Sequence, residues 1–120
     1  MKVLVCGSRD WADPKPVISR LHALRMTALH RGEALAIIHG GARGADTIAG
    51  AWGSRQRFSV QPFPADWDRN GKRAGILRNL AMLDERPDLV LAFQRNGSRG
   101  TQHTIDEALR RGISVEVHTA

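Results

Sequence analysis

Two glycine-rich segments combine the residue types that bind phosphate. Residues 39–46 read HGGARGAD and residues 96–101 read NGSRGT, and each lies between an apolar run and a helical pattern. A helix N-terminus offers unpaired N–H groups and the positive end of the helix dipole, and glycine lets a phosphate approach them. Each segment also contains an arginine, Arg43 or Arg99, that can bind phosphate oxygens in bidentate fashion. The pattern predicts a phosphate-bearing ligand; the alternative is that these glycines only form tight strand-to-helix turns.

Short apolar runs alternate with helical patterns from end to end, and this alternation predicts an α/β fold with a mostly parallel sheet of about five strands covered on both faces. At 120 residues, the chain is expected to form a single domain, residues 1–120. The predicted strands are 2–6, 35–39, 58–63, 89–93 and 113–117. The predicted helices are 14–31, 45–56, 70–85 and 101–111.

Basic residues mark one edge of this predicted sheet. In parallel sheets ligands bind beyond the carboxyl ends of the strands, near the point where the strand order reverses. The charges at the opposite edge have mixed signs, so the asymmetry favours an anion site. The basic residues in the loops at the carboxyl edge are Arg9, Arg43, Arg69, Lys72, Arg73, Arg95 and Arg99.

The net charge of +6 permits contact with nucleic acid but does not require it, because no run of five basic residues and no zinc-finger, RRM or KH signature is present. Neither common nucleotide-binding motif occurs. The dinucleotide fingerprint G-x-G-x-x-G is missing, and Gly71-Lys72 is followed by Arg73 where a Walker motif needs Ser or Thr. A small anionic ligand therefore explains the arginines at least as well as a polynucleotide does.

The single cysteine, Cys6, excludes an internal disulfide and is expected to be a buried, inert thiol. The five histidines lack ligand spacing, so no metal is expected. No apolar run is long enough to span a membrane, and the N-terminus lacks the pattern of a secretory signal. These features predict a cytoplasmic protein without membrane contact.

Several short motifs occur in order between Val3 and about Val117: Gly7-Ser8-Arg9, the segment from Gly40 to Asp46, Pro64-Ala65-Asp66-Trp67, Gly71-Lys72, Ala74-Gly75, Arg78-Asn79, Met82 and the segment from Gly97 to Thr101. Together they resemble the small cpYpsA-related branch of the SLOG superfamily, which includes the LOG-type phosphoribohydrolases and the DNA-processing Smf/DprA domains. The resemblance implies a Rossmann-like three-layer domain. It also implies a nucleotide or a nucleotide-derived ligand such as an ADP-ribose-like molecule, and no separate cofactor.

The same resemblance implies roles for individual residues. Gly97, Ser98, Gly100 and Thr101 stand where LOG-type enzymes have their phosphate-binding P-G-G-x-G-T loop, and Thr101 is also expected to cap the following helix. Those enzymes then carry a catalytic glutamate where this chain has Thr104. Glycosidic cleavage needs a carboxylate, so hydrolysis of a nucleoside 5′-monophosphate stays an alternative that would require Asp46, Asp66 or Asp106. Arg78 resembles an arginine near the LOG-type active site; the alternative is a surface arginine that pairs with Asp84 or Glu85.

Other candidates have two interpretations each. Asp46 either orients Arg43 or binds a ribose hydroxyl, or it caps the second helix, which we slightly favour. Trp67 is placed to stack on a base, Trp52 is expected in the core with a subunit contact as the alternative, and Trp11 fits either place. Asp46 and Arg78 are also the catalytic candidates. The predicted ligand-binding set is Gly7, Ser8, Arg9, Gly40, Gly41, Arg43, Gly44, Asp46, Trp67, Lys72, Arg78, Gly97, Ser98, Arg99, Gly100 and Thr101.

The sequence therefore favours a domain that binds a nucleotide-type small molecule. Phosphoribohydrolase activity is the first alternative and a nucleic-acid-binding module is the second. Because LOG-like proteins are commonly dimers, the resemblance also implies a homodimer or a higher homo-oligomer, with the apolar second and third helices as contact surfaces.

Overall fold

A five-stranded sheet forms the centre of the computed structural model, which describes residues 1–119. Every neighbouring pair of strands is parallel, and the strand order is β3-β2-β1-β4-β5. This α/β arrangement confirms the predicted Rossmann-like sheet, with no antiparallel pair among the described strands. The strands are β1 (Lys2–Gly7), β2 (Ala36–His39), β3 (Ser59–Pro62), β4 (Leu89–Gln94) and β5 (Val115–Thr119).

Helices cover both faces of the sheet. Successive side chains of a strand point to opposite faces, so Val3 and Val5 pack under α1 and α2 while Leu4 and Cys6 pack under α4 and α5. Both faces are buried, which explains why β1 and β4 are nearly continuous apolar runs. The helices are α1 (Pro14–His30), α2 (Ala45–Arg55), α3 (Trp67–Asn70), α4 (Ala74–Asp84) and α5 (Arg99–Arg110), and a 3₁₀ turn spans Gly71–Arg73.

Two helix predictions differ from the structure. The predicted helix 70–85 is divided, because Gly71 adopts a left-handed φ of 55° that ends α3 before α4 begins. The last helix begins at Arg99, with Ser98 as its N-cap. Thr101 therefore lies inside the first turn of α5, and the prediction that it caps this helix is wrong.

Two of the three tryptophans and the cysteine are buried in the core. Trp11 meets the ring of Phe93 edge-on at a centroid distance of 5.4 Å, and Trp52 packs against Phe58 at 5.5 Å. Both indoles are buried on the α1–α2 side of the sheet. Cys6 is buried on the other side, and this burial raises the pKa of its thiol, as expected for an inert cysteine.

The strand order reverses between β1 and β4. From β1 the chain moves outward through β2 to β3, whereas β4 and β5 lie on the other side of β1. From the carboxyl edge of the sheet the chain continues to α1 on one face and to α5 on the other, and parallel sheets bind ligands at such a point. In the described part of the chain, no helix has the length and apolar character of a membrane span.

Candidate functional site

A cavity of about 610 Å³ lies at the carboxyl ends of β1 and β4, where the strand order reverses. A smaller cavity of about 280 Å³ adjoins it beneath the β2–α2 loop, and Arg9, Ala42, Trp67 and Arg78 line both. Gly44 and Gly97 line neither. The predicted residues at the large cavity are Gly7, Ser8, Arg9, Asp46, Trp67, Lys72, Arg78, Ser98, Arg99, Gly100 and Thr101, and those at the small one are Arg9, Gly40, Gly41, Arg43, Trp67 and Arg78.

The N-terminus of α5 opens onto the large cavity. The first hydrogen bond of this helix runs from the Gln102 N–H to the Ser98 carbonyl over 2.9 Å. Within residues 1–119, the backbone N–H groups of Arg99, Gly100 and Thr101 have no acceptor. Three free donors at the positive end of a helix dipole are groups of the kind that bind anions in proteins.

Gly100 has no structural reason to be glycine. A Cβ atom added there would meet no heavy atom within 4 Å, and its φ lies outside the left-handed region. Glycine in a helix is less favourable than alanine by about 1 kcal/mol. Gly100 lines the large cavity and is exposed, so no side chain of its own stands beside these N–H groups.

The first glycine-rich segment is organised differently. The N–H groups of Gly40 and Ala42 both donate to Asp46 Oδ2, over 2.8 and 3.4 Å, and the Gly41 N–H donates to His39 Nδ1 over 3.0 Å. These three donors are thus used inside the protein. This corrects the expectation that both glycine-rich segments offer their backbone to phosphate in the same way.

Close packing explains two further glycines. A Cβ atom on Gly44, whose φ is 90°, would lie 2.4 Å from the Ser8 carbonyl oxygen. A Cβ atom on Gly7 would lie 2.7 Å from the Phe93 carbonyl oxygen. Gly44 therefore allows the start of α2 to pack closely against the loop that follows β1. Gly7 allows β1 and β4 to approach each other beside the cavity.

Asp46 is the second residue of α2 and lines the large cavity. Gly44 is the N-cap of this helix, so the prediction that Asp46 caps it is wrong; the carboxylate instead holds the β2–α2 loop. Asp46 is 4% exposed, and its Oδ1 has no hydrogen-bond partner among the described residues. Burial raises the pKa of Asp46 to about 6, against the opposing effects of the Gly40 and Ala42 N–H groups and of the Arg78 charge.

Arg78 and Asn79 of α4 connect the two glycine-rich segments. Arg78 Nη1 donates to the Gly40 carbonyl over 2.6 Å, and Arg78 Nε donates to Asn79 Oδ1 over 3.0 Å. Asn79 Nδ2 in turn donates to the Gly100 carbonyl over 3.4 Å. A Cβ atom on Gly40 would lie 2.5 Å from Arg78 Nη1, so glycine there makes room for the arginine.

Arg78 is therefore not a surface arginine paired with Asp84, which binds Arg111 instead. Asn79 and His103 are not among the predicted site residues, although both line the cavity and their side chains are 3.3 Å apart. Asn79 belongs to the Arg78-Asn79 motif of the family resemblance. That motif was the signal that could have identified Asn79 beforehand.

Ser8 lines the cavity but uses its hydroxyl within the protein. Its Oγ accepts a hydrogen bond from the Arg95 N–H over 2.7 Å and donates to the Arg95 carbonyl over 2.9 Å. These two bonds join the loops that follow β1 and β4. The hydroxyl thus shapes the site, and the structure leaves it no free donor for a ligand.

Exposed cations and one indole surround the two cavities. Arg9, Lys72 and Arg99 are exposed at the large cavity and Arg43 at the small one, and none of them forms an ion pair within the described chain. Trp67, at the start of α3, is 51% exposed and lines both cavities. Gly97 follows Asn96 in a turn where both residues have positive φ, so its role is in the turn.

No carboxylate occupies the position of the LOG-type glutamate. Thr104 is buried there, and its hydroxyl donates to the Gly100 carbonyl over 3.3 Å. Asp106 accepts a hydrogen bond from Gln102, and Asp66 caps α3 by accepting from the Arg69 N–H. Among the residues described, the carboxylates that line the large cavity are those of Asp10 and Asp46.

Comparison with known proteins identifies the family. Residues 1–70 match the family described as YAcAr: YspA, cpYpsA-related SLOG family. The chain is 46% identical to the Gene 61 protein of Mycobacterium phage D29, over 95% of this chain and 93% of the phage protein, whose name states no activity. No solved structure matches. The chain therefore belongs to the YspA, cpYpsA-related SLOG family.

Proposed function

We propose that residues 1–120 act as one domain that binds a nucleotide, or a nucleotide-derived phosphate ligand such as an ADP-ribose-like molecule. The observation that carries this proposal is the N-terminus of α5, with its free N–H groups at Arg99, Gly100 and Thr101 beside a cavity. A phosphate there accepts hydrogen bonds from the backbone and gains from the helix dipole. Arg99 and Lys72 add positive charge at the cavity.

The phosphate belongs at α5 and not at the β2–α2 loop. The N–H groups of Gly40, Gly41 and Ala42 already have acceptors, and the carboxylate of Asp46 holds two of them. A second anion at that loop would meet the negative charge of Asp46 and would find no free donor from these three residues. The two glycine-rich segments therefore have different roles in one site.

Trp67 supports a ligand that carries an aromatic base. Its exposed indole lines both cavities, and stacking of a base on an aromatic side chain contributes about 1–3 kcal/mol. The volume of about 610 Å³ also lies within the range of about 300–1,000 Å³ that is usual for small-molecule sites. A phosphate at α5 and a base near Trp67 together describe a nucleotide.

Calorimetric titration with AMP, CMP, ADP-ribose and cyclic nucleotides tests the proposal. We expect at least one to bind, and Arg99→Ala to weaken that binding about ten- to hundredfold because a charge-assisted contact is lost. Gly100→Ala should also weaken it, since a methyl group would stand where the phosphate approaches. Arg55→Ala is the matched control, because Arg55 is exposed in the last turn of α2 at the opposite edge of the sheet. If no compound binds more tightly than about 1 mM, which is about −4 kcal/mol, the proposal is wrong.

Phosphoribohydrolase activity is a second candidate because Asp46 supplies one buried carboxylate at the cavity. Water would add to C1′ of the ribose while the bond to the base breaks and the base takes up a proton. Incubation with AMP or CMP, followed by chromatography for the free base, measures this reaction. We expect binding without cleavage, since Thr104 stands where the LOG-type enzymes have glutamate. Release of base that is lost in Asp46→Asn would instead assign the reaction to Asp46.

A further inference from the structure

The large cavity combines hydrogen-bond donors and one unused acceptor. At α5 the N–H groups of Arg99, Gly100 and Thr101 are free donors. Asp46 lines the same cavity, and its Oδ1 is buried with no partner in the described chain. Buried polar atoms in native proteins are nearly always hydrogen-bonded, so an unpaired carboxylate oxygen beside a cavity indicates a partner that arrives from outside.

No other residue in the described chain donates a hydrogen bond to that oxygen. The N–H groups of Gly40 and Ala42 bind the other oxygen, Oδ2, and this fixes the orientation of the carboxylate. The guanidinium of Arg78 donates to the Gly40 carbonyl and to Asn79. A phosphate has only acceptor oxygens and a like charge, so it does not suit Asp46 Oδ1. A hydroxyl group suits it, because the O–H donates to a carboxylate oxygen.

We propose that Asp46 is a specificity-determining residue that accepts a hydrogen bond from a ribose hydroxyl of the ligand. The inference rests on the proposed function and narrows its ligand class to phosphorylated ribosides with free sugar hydroxyls. Deoxy compounds that lack the recognised hydroxyl bind less tightly, because Oδ1 then stays unpaired in the complex. A site built to bond a hydroxyl rejects the analogue without it far better than an apolar pocket rejects an added group.

Affinities for AMP, 2′-deoxy-AMP and 3′-deoxy-AMP, measured by calorimetry, test this role. The wild-type protein is expected to bind AMP at least about tenfold more tightly than one of the deoxy analogues. In Asp46→Asn this preference falls to about threefold or less, since a neutral amide makes a weaker contact than a carboxylate. Asparagine keeps the size and the oxygen that the Gly40 and Ala42 N–H groups need. The affinity for inorganic phosphate should not fall in this variant, because α5 is unchanged.

Asp68→Asn is the matched control, because Asp68 is an exposed carboxylate that lines neither cavity. It should keep the wild-type preference for AMP over the deoxy analogues. An NMR measurement on the wild-type protein tests the same contact without relying on the folding of Asp46→Asn. The ¹³C resonance of the Asp46 carboxyl group should move when AMP binds and stay in place when inorganic phosphate binds.

The outcomes separate this inference from the proposed function. Equal affinity for AMP and both deoxy analogues overturns the role of Asp46 and leaves nucleotide binding intact. A preference that persists in Asp46→Asn, or a carboxyl resonance that AMP does not move, overturns it as well. If none of the nucleotides binds, the proposed function itself is wrong.

Discussion

Replacing Asp46 with asparagine should flatten the pH dependence of stability between about pH 4 and pH 6. Burial raises the pKa of Asp46 from 3.8 to about 6. The folded protein therefore binds a proton in a pH range where the unfolded chain has already released it. The contribution of Asp46 to the unfolding free energy is therefore highest below the pKa of the unfolded chain, 3.8. This contribution declines as the pH rises and is fully lost above about pH 6.

The size of the effect follows from the two pKa values. Each pH unit between them corresponds to about 1.4 kcal/mol, so a rise from 3.8 to about 6 corresponds to about 3 kcal/mol. Asp46 is buried, so solvent screening reduces this figure little. The difference in unfolding free energy, Asp46→Asn minus wild type, should thus grow by about 2–3 kcal/mol from pH 3.5 to pH 7.5.

Urea unfolding followed by circular dichroism at closely spaced pH values measures this difference. Groups that titrate equally in both proteins make no contribution to the difference in unfolding free energy. His39 is one of them: burial lowers the pKa of His39, so its contribution is lost as the pH falls below its ordinary value of 6.5. Glu116, whose pKa the Arg20 hydrogen bond lowers to about 2, also cancels. Parallel stability curves for the two proteins between pH 4 and pH 7 would refute the reasoning that Asp46 holds a buried charge.

Four further predictions concern the same fold. Gly44→Ala should lower the unfolding free energy by about 3 kcal/mol, because its Cβ would clash with the Ser8 carbonyl at a left-handed φ. Gly100→Ala should leave the melting temperature unchanged or higher. Equal losses of stability in the two variants would contradict the different roles of these glycines. Asn79→Ala should cost about 1–3 kcal/mol of stability and also weaken AMP binding, because α5 loses its hydrogen bond to α4, and calorimetry checks both effects. Single-stranded DNA should bind weakly in a fluorescence titration, and a tight complex with a steep salt slope would favour the nucleic-acid alternative. Sedimentation at micromolar concentration should show a homodimer, and a monomer would contradict this expectation.

Local sequence patterns were sufficient to predict the architecture. The apolar runs of β1 and β4 and the helical spacing between the strands predict a parallel sheet, because burial on both faces imposes this composition. The pattern also places Gly100 and Arg99 at the carboxyl edge, since a strand followed by a helix must turn there. The predicted helix 70–85 starts four residues before α4, because residues 70–73 contain no apolar residue that marks the start of the helical face. The left-handed φ of Gly71 separates α3 from α4.

The tertiary structure alone decided what the backbone N–H groups of each glycine-rich segment contact. In one segment Asp46 reaches back over six residues to the Gly40 N–H, because α2 and the β2–α2 loop place them together. In the other, no side chain of the described residues caps the start of α5 with a hydrogen bond. The contact of Arg78 with the Gly40 carbonyl joins residues 38 positions apart. Such partners, and the burial that raises the pKa of Asp46, depend on how distant elements pack, and spacing along the chain does not specify that packing.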